Sequence, residues 1–450
     1  MDNKNTPTIL VIFGISGDLS RRYLVPAIQA ISKAEKLPHS FHIVGVTRKD
    51  NISLDEIFTK GEETDFLKKH TELFKMDLFN GEDYEKLNNL LEKIEKDFPT
   101  PAQRIFYLSV PPEACKDIVK YLGESSLTKG EKGQLFKLLL EKPFGSDLES
   151  AKDLVKHIDK YFSPEQVYRT DHYMAKEAAQ NLIVFRNRNF LFKNAWNNDF
   201  IESINITASE KIDIEGRVKF YEQTGALRDV VQSHLLQLLA LVLMDLPNKE
   251  KLDAVPNLRY KALKELRVVC DLKKKECVKR GQYEEYRKEV GNDKSMTETF
   301  VSVKLQSSNP KWKNVPIVLT AGKALMERST QIKINYKKTE DNESDSLVIR
   351  IQPNAGIELD VWAKVPGYEH KVSRHSMHFL FKEYYEELPE AYEQVLFNAI
   401  NSDHSLFTSS EEILETWRIL DAVQRTWDDS MDDLILYKKG TPVEDLVSSE

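Results

Sequence analysis

Cysteine is nearly absent: Cys115, Cys270 and Cys277 are the only three in 450 residues, and no two of them form a CxxC pair. Neither a disulfide framework nor a zinc knuckle is suggested, and a reducing compartment fits. Positive charge is not in excess. Lys and Arg number 64 against 72 Asp and Glu, a net charge of −8, which argues against general nucleic-acid binding. The one basic cluster, LKKKECVKR at residues 272–280, also contains an acid and reads as a solvated face. No run of about 18 uncharged apolar residues is present to span a bilayer. The opening MDNKNTPTIL has no apolar core of the kind a signal peptide needs. The expectation is a soluble cytosolic protein with no nucleic-acid or membrane partner. Repeats and low-complexity tracts are missing as well.

With 41% hydrophobic and 30% charged residues, the chain can bury one large core or two ordinary ones. Two domains are expected, residues 1–170 and 171–450. In the first, apolar runs alternate with helix-period segments: strands at TILVIFG, FHIVGVTR, RIFYLSV, QLFKLLLEKPFG and QVYRTDH, and helices at DLSRRYLVPAIQAIS, YEKLNNLLEKIEKDF, ACKDIVKYL and LESAKDLVKHIDKYF. This α/β alternation predicts a Rossmann-like dinucleotide-binding domain. From about residue 195 the chain turns to β-rich segments, FVSVKL, QIKINYK, SLVIRIQP and GIELDVWAKV. They predict a larger α+β domain with a mostly antiparallel sheet. The acidic KKTEDNESDS, residues 337–346, reads as a turn between two of its strands.

GISGDL, residues 14–19, falls where the first strand hands over to the first helix. Gly14 and Gly17 let the backbone turn tightly and approach a diphosphate held by free N–H groups at a helix N-terminus, which Asp18 and Leu19 open. GxxG alone is a common turn, so the placement carries the reading. At the end of strand two an NAD site usually has an acid. Here GVTRKD places Arg48, with Lys49 beside it, where a cation can pair bidentately with a 2′-phosphate. That points to NADP, the plain alternative being an exposed strand-end pair. EKPFG ends an apolar strand and sets Lys142 and Pro143 at the carboxyl edge of the sheet, where ligands bind in open α/β folds. Proline there is also ordinary strand termination.

RTDHYMAKE, residues 169–177, gathers five ionisable side chains and a tyrosine into nine positions. His234 lies in RDVVQSHLLQLLALVLMD, apolar enough for a buried helix, where a satisfied core histidine is the plain reading. Asp229 and Gln232 fit the first and fourth places of a capping box, which predicts a helix start at Asp229. Residues five apart do not share a face of a regular helix, but they can converge on one ligand near its mouth. His370, His375 and His378 lack metal-ligand context and read as a strand surface, so no metal is expected. Phe185, Phe190 and Phe192 read as core or interface.

GISGDLSRR, YLSVPP, EKPFG, RTDHYMAKE and GALRDVVQSHLL resemble, in order and spacing, signature stretches of the glucose-6-phosphate dehydrogenase family. VPIVLTAGKALMER, LVIRIQPN and LPEAYEQVLFNAI resemble its second-domain segments, so the likeness covers almost the whole chain. The resemblance implies a substrate site between the domains. His172, Tyr173, Lys176, Lys323 and Arg328 would be phosphate ligands. Glu210, Asp229 and Gln352 would serve the sugar, and Lys142 would bridge substrate and nicotinamide. His234 would be the general base, paired with Asp171. A neutral imidazole oriented by a carboxylate suits a hydroxyl that loses its proton as C1 loses hydride. The family implies NADP as cofactor, a lactone product and a homodimer or homotetramer.

Three positions depart from the family pattern: Ala175 stands for the usual glycine, Ser233 for asparagine and Tyr23 for lysine. Alanine would be strained if position 175 needs positive φ. It would be favourable if the residue lies in the first turn of the helix AKEAAQNL, which is the preferred reading. The rival functions are a non-catalytic NADP-binding homologue and a dehydrogenase of another sugar.

Overall fold

The computed structural model describes residues 5–58, 64–130, 134–247, 252–268, 277–341, 343–428 and 433–448. Cys270, residues 272–276 of the basic cluster and Asn342 of the acidic turn lie outside them. Six strands form the first sheet, in the order β3-β2-β1-β4-β5-β6: β1 Thr8–Phe13, β2 Phe41–Thr47, β3 Thr71–Lys75, β4 Gln103–Leu108, β5 Phe136–Leu140 and β6 Val167–Arg169. Every pairing is parallel. The order reverses at β1, as in doubly wound nucleotide-binding folds. TILVIF is buried at all its positions, as expected for a strand covered by helices on both faces. β3 escaped the sequence reading because TELFK is short, polar in alternation and on the sheet edge.

The second sheet has ten strands: β7 Ile201–Ser209, β8 Leu266–Val268, β9 Val278–Tyr283, β10 Phe300–Ser307, β11 Ile317–Gly322, β12 Ser329–Tyr336, β13 Ser346–Gln352, β14 Gly356–Lys364, β15 Val372–Leu380 and β16 Leu434–Tyr437. Among the described residues only β7 with β11 and β9 with β16 pair in parallel. The expected mostly antiparallel sheet is thus present, and the acidic stretch does join β12 to β13. His375 and His378 lie exposed on β15. Phe185 and Phe192 pack ring to ring at 4.5 Å, but Phe190 is 80% exposed and belongs to no core. Cys115 is free. Cys277 is disulfide-bonded, so the lack of a CxxC spacing does not mean the lack of a disulfide.

One helical run, Val218–Leu243, is long and apolar enough to cross a membrane, and most of it is buried inside the fold. It is not continuous. Gly225 leaves helical geometry at φ 61° and ψ −178°, a conformation open essentially to glycine alone. The chain then restarts as a π-helix, Leu227–Leu235, before the α-helix Leu236–Leu243. The predicted start at Asp229 is therefore two residues late, and the capping box does not form. The Asp229 carboxylate faces Lys142 instead, and Gln232 donates to Thr416.

The two sheets are tied together by the end of the chain. Helix Ala391–Ile400 packs on helix Val25–Lys33 of the first domain, and helix Ser410–Asp428 packs on Leu148–Ile158. Lys137 of β5, buried, donates from Nζ to the Ala399 and Ile400 carbonyls at 2.6 and 3.2 Å. Those carbonyls lie at a helix C-terminus, past the last i→i+4 bond, and Gln103 Nε2 also donates to the Ile400 carbonyl at 3.0 Å. Trp417 donates to the Phe144 carbonyl at 3.0 Å.

Candidate active site

The turn after β1 is built on Gly14, whose φ is 87°. A β-carbon there would meet the Ser109 carbonyl oxygen at 2.3 Å, so β4 leaves no room for a side chain. The Gly17 amide turns back to the Gly14 carbonyl at 2.9 Å, and helix begins at Asp18 and Leu19. Asp18 itself points outward to Arg22 at 3.5 Å. Arg48 and Lys49 follow β2 at the same sheet edge, both exposed. Among the described residues neither forms an ion pair. The backbone can thus approach a ligand closely at Gly14 with a free cation near by, a donor set that fits a phosphorylated dinucleotide.

Lys142 and Pro143 extend from β5 into a cleft of about 460 Å³ also lined by Asp171, Asp229, Ser233 and His234. Here the π-helix matters. Its i→i+5 hydrogen bonding widens the turn, so Asp229 and His234, five apart, both meet Lys142. Lys142 Nζ donates to Asp229 Oδ1 at 3.0 Å and lies 2.8 Å from His234 Nε2. The other imidazole nitrogen, Nδ1, is 2.6 Å from Asp171 Oδ1, which also accepts the Tyr173 amide at 2.9 Å. An ammonium only donates, so Nε2 is the acceptor and Nδ1 carries the proton given to Asp171. Asp171 Oδ2 is buried without a partner. Ser233 bonds back to the Asp229 carbonyl at 2.5 Å.

Beside this chain the Tyr173 ring stacks on His234 at 4.2 Å, and His172 meets His234 edge-on at 4.7 Å. Lys176 lies 5.4 Å from the centroid of the Tyr173 ring and bonds the Gln352 side-chain oxygen. Gln352 donates to Tyr173 Oη at 3.4 Å and Thr330 Oγ1 at 3.3 Å. Lys323, buried, pairs with Glu210 at 2.6 Å. Arg328 is exposed on the connection between β11 and β12, close enough to depress Lys176 electrostatically. Lys142, Asp171, Asp229 and His234 line one cleft. His172, Tyr173, Lys176 and Gln352 connect to it through contacts with His234 and with one another, while Lys323 and Glu210 pair with each other. Gly14, Gly17, Asp18, Leu19 and Arg48 sit apart from the cleft along the carboxyl edge of the first sheet.

Burial dominates the electrostatics. It pushes His234 and His172 well below the ordinary imidazole value, helped by the Lys142 charge. It raises Asp171 and lowers Lys176. Burial would also raise Asp229, but the charge and hydrogen bond of Lys142 outweigh it and hold the carboxyl at about 2. Asp171, His172 and His234 bring ligand-type atoms within 4.8 Å of one another, but Lys142 and Lys176 make the surroundings hostile to a divalent cation.

Ala175 has no positive φ and is fully buried. It precedes Lys176, which caps helix Glu177–Arg188. Alanine is therefore unstrained, but it lies before the helix and not in its first turn. Tyr23 stacks on Tyr392 at 5.2 Å, and Tyr392 in turn lies 6.4 Å from His172. The sequence reading missed Tyr392, although its segment was among those singled out. It also missed Glu141, which is bonded by Tyr107 and raised to about 7 by burial. An acid next to Lys142 at a strand end was the available signal.

The family model described as glucose-6-phosphate dehydrogenase, NAD binding domain, matches residues 11–181, and the model of the C-terminal domain of the same enzyme matches 183–445. A glucose-6-phosphate 1-dehydrogenase of Chlamydia muridarum is 35% identical, covering 94% of this chain and 90% of that protein. The Bacillus subtilis enzyme of that name is 33% identical, with 94% and 92% covered. A solved structure of glucose-6-phosphate dehydrogenase in complex with its substrate superposes with a TM-score of 0.90 at 28% identity, over 98% of this chain and 97% of that one. Two matched domains that together span nearly the whole chain, and relatives of this identity over nine-tenths of their length, place the chain in the glucose-6-phosphate dehydrogenase family.

Proposed function

We propose that the protein oxidises glucose 6-phosphate at C1 to 6-phosphogluconolactone with NADP, the reaction that opens the oxidative pentose phosphate pathway. The observation that carries this reading is the chain Asp171, His234, Lys142, Asp229, linked by hydrogen bonds at the mouth of one cleft. NADP, when bound, accepts the hydride, and Gly14, Gly17, Asp18, Leu19, Arg48, Lys142 and Pro143 are the residues that would hold it. His234 takes the C1 hydroxyl proton at Nε2. Asp171 keeps the imidazole in the tautomer that leaves Nε2 free and stabilises the cation that forms. For this the hydroxyl must replace Lys142 at Nε2, which releases the ammonium toward substrate oxygens.

His172, Tyr173, Lys176, Lys323 and Arg328 would bind the phosphate, and Glu210, Asp229 and Gln352 the sugar hydroxyls. Lys323 gives up Glu210 as its sole carboxylate partner when the dianion arrives. A division near residue 170 would separate the NADP-binding domain from the substrate-binding domain. The test is the near-ultraviolet absorbance of reduced NADP with glucose 6-phosphate, free glucose and NADP alone. Turnover of only the phosphorylated sugar supports the reading. No turnover would indicate a non-catalytic homologue, and equal turnover of glucose a dehydrogenase of another sugar.

A cytosolic homodimer or homotetramer accompanies this reading. Exposed Tyr368, Val372 and Met377 on and beside the outermost strands β14 and β15 are the apolar surface that supports association. The negative net charge speaks against nucleic acid as a partner.

A further inference from the structure

The π-helix that carries Asp229 and His234 begins inside the protein, where its first amides cannot reach water. A helix N-terminus leaves such donors without intrahelical partners. The Ala226 and Leu227 amides are both met from the segment just before β10, far away in sequence. The Glu298 carbonyl accepts the Ala226 amide at 3.0 Å, and its carboxylate Oε1 accepts the Leu227 amide at 2.8 Å. Glu298 is 8% exposed. The fit is close: a β-carbon on Gly225 would stand 2.3 Å from Oε1. Gly225 therefore does two things, breaking the preceding helix and admitting the carboxylate.

The next residue points the other way. The Thr299 carbonyl accepts the Lys323 amide at 2.9 Å. Thr299 Oγ1 accepts the Tyr283 amide at 3.0 Å and donates to Tyr437 Oη at 2.7 Å. Tyr437 then donates to the Lys323 carbonyl at 2.8 Å. The backbone of Lys323 is thus bonded on both sides through one threonine.

We propose that Glu298 and Thr299 are positioning residues for the reaction: Glu298 sets the start of the helix that bears the base, Thr299 sets Lys323, and one strand end holds both in a common frame. This rests on the dehydrogenase reading above. Neither residue lines the cleft, and each acts through another.

The test compares Glu298→Met, which keeps bulk but loses both acceptor oxygens, with Glu298→Gln, which keeps one. Wild-type turnover of glucose 6-phosphate is measured first, so failure of the functional reading is seen separately. The Met variant should lose roughly ten- to a hundredfold in kcat, the scale of a small misplacement of reacting groups. Its KM should change much less, and Gln should restore most of the loss. Thr299→Val should raise KM by about threefold, the worth of one hydrogen bond, and by more than it lowers kcat. A Met variant with near wild-type kcat, a Gln variant as impaired as Met, or an unchanged KM in Thr299→Val overturns the proposal. Should Glu298→Met not fold, amide exchange in the wild type decides. The Leu227 amide should be protected like the interior of helix Leu236–Leu243, and exchange as fast as an unbonded first-turn amide overturns the cap.

Discussion

Lys142 Nζ and His234 Nε2 lie 2.8 Å apart, so a cation shields the nitrogen that would act as base. Burial first, and then this ammonium, depress the imidazole. The acid limb of the kcat/KM profile, which reports the free enzyme, should therefore lie below the ordinary 6.5. In Lys142→Gln the limb should move up, though not fully to 6.5, because burial remains. A wild-type limb at or above 6.5 contradicts this arrangement. The same depression affects stability. The native state binds fewer protons than the unfolded chain, so the contribution of His234 is present above about 6.5 and is lost as pH falls toward its folded pKa.

Asp171 holds His234 through Nδ1, and its second oxygen has no partner. His234→Asn should lower kcat by at least about a hundredfold, the low end for general-base catalysis, while substrate still binds. Asp171→Asn should also lower kcat, since an amide can present its NH₂ to Nδ1 and impose the wrong tautomer. Steady-state kinetics on folded variants checks both. A His234→Asn protein that keeps most of its kcat removes the histidine from the role of base.

Arg48 is exposed and unpaired among the described residues. Arg48→Ala should remove a charge-assisted contact worth about 1.5 to 3 kcal/mol, roughly ten- to a hundredfold in NADP use. NAD use should change far less. Parallel titrations with both cofactors decide, and equal losses sink the 2′-phosphate assignment.

Lys176 has an amide oxygen as its partner, Gln352 Oε1, and no carboxylate among the described residues forms an ion pair with it. A surface ion pair is therefore not what holds it. If the phosphate is its true counter-charge, discrimination against free glucose in kcat/KM should reach at least about ten-thousandfold, as in sites built around a polar group. Lys176→Ala should damage glucose 6-phosphate turnover severely and glucose turnover hardly at all. A sugar ratio unchanged by the mutation rules out the role.

Much of this was legible in the sequence because the signals were local. Buried parallel strands announce themselves as apolar runs, and Gly14, Lys142 and Arg48 follow from their places at strand ends. What was not legible depended on contacts between distant segments. Asp229 and Gln232 have the letters of a capping box, yet the helix starts earlier, because Glu298 supplies the cap and Gly225 the break. Convergence of residues five apart was expected from a place near the mouth of a regular helix, whereas it comes from the winding of the helix itself. The π-helical winding that unites Asp229 with His234 leaves no periodic mark in a segment apolar on most sides. Tyr392 reaches His172 only because a late helix folds back over the first sheet.

That return has a consequence for how the chain is made. As the first 170 residues leave the ribosome, Lys137 already lies in the sheet, but the helix end that accepts its protons, at Ala399 and Ile400, has not been synthesised. Until that helix packs, the Lys137 ammonium is open to water; once covered it needs those carbonyls, because a buried ammonium without a partner is costly. The first sheet therefore waits with the apolar surface that Val395, Leu396 and Ala399 will cover still bare, a stretch of time in which chaperones have something to hold. Closure comes only with residues 391–400, so a stop shortly before residue 391 should leave that apolar flank of the first domain exposed although every one of its strands had been translated.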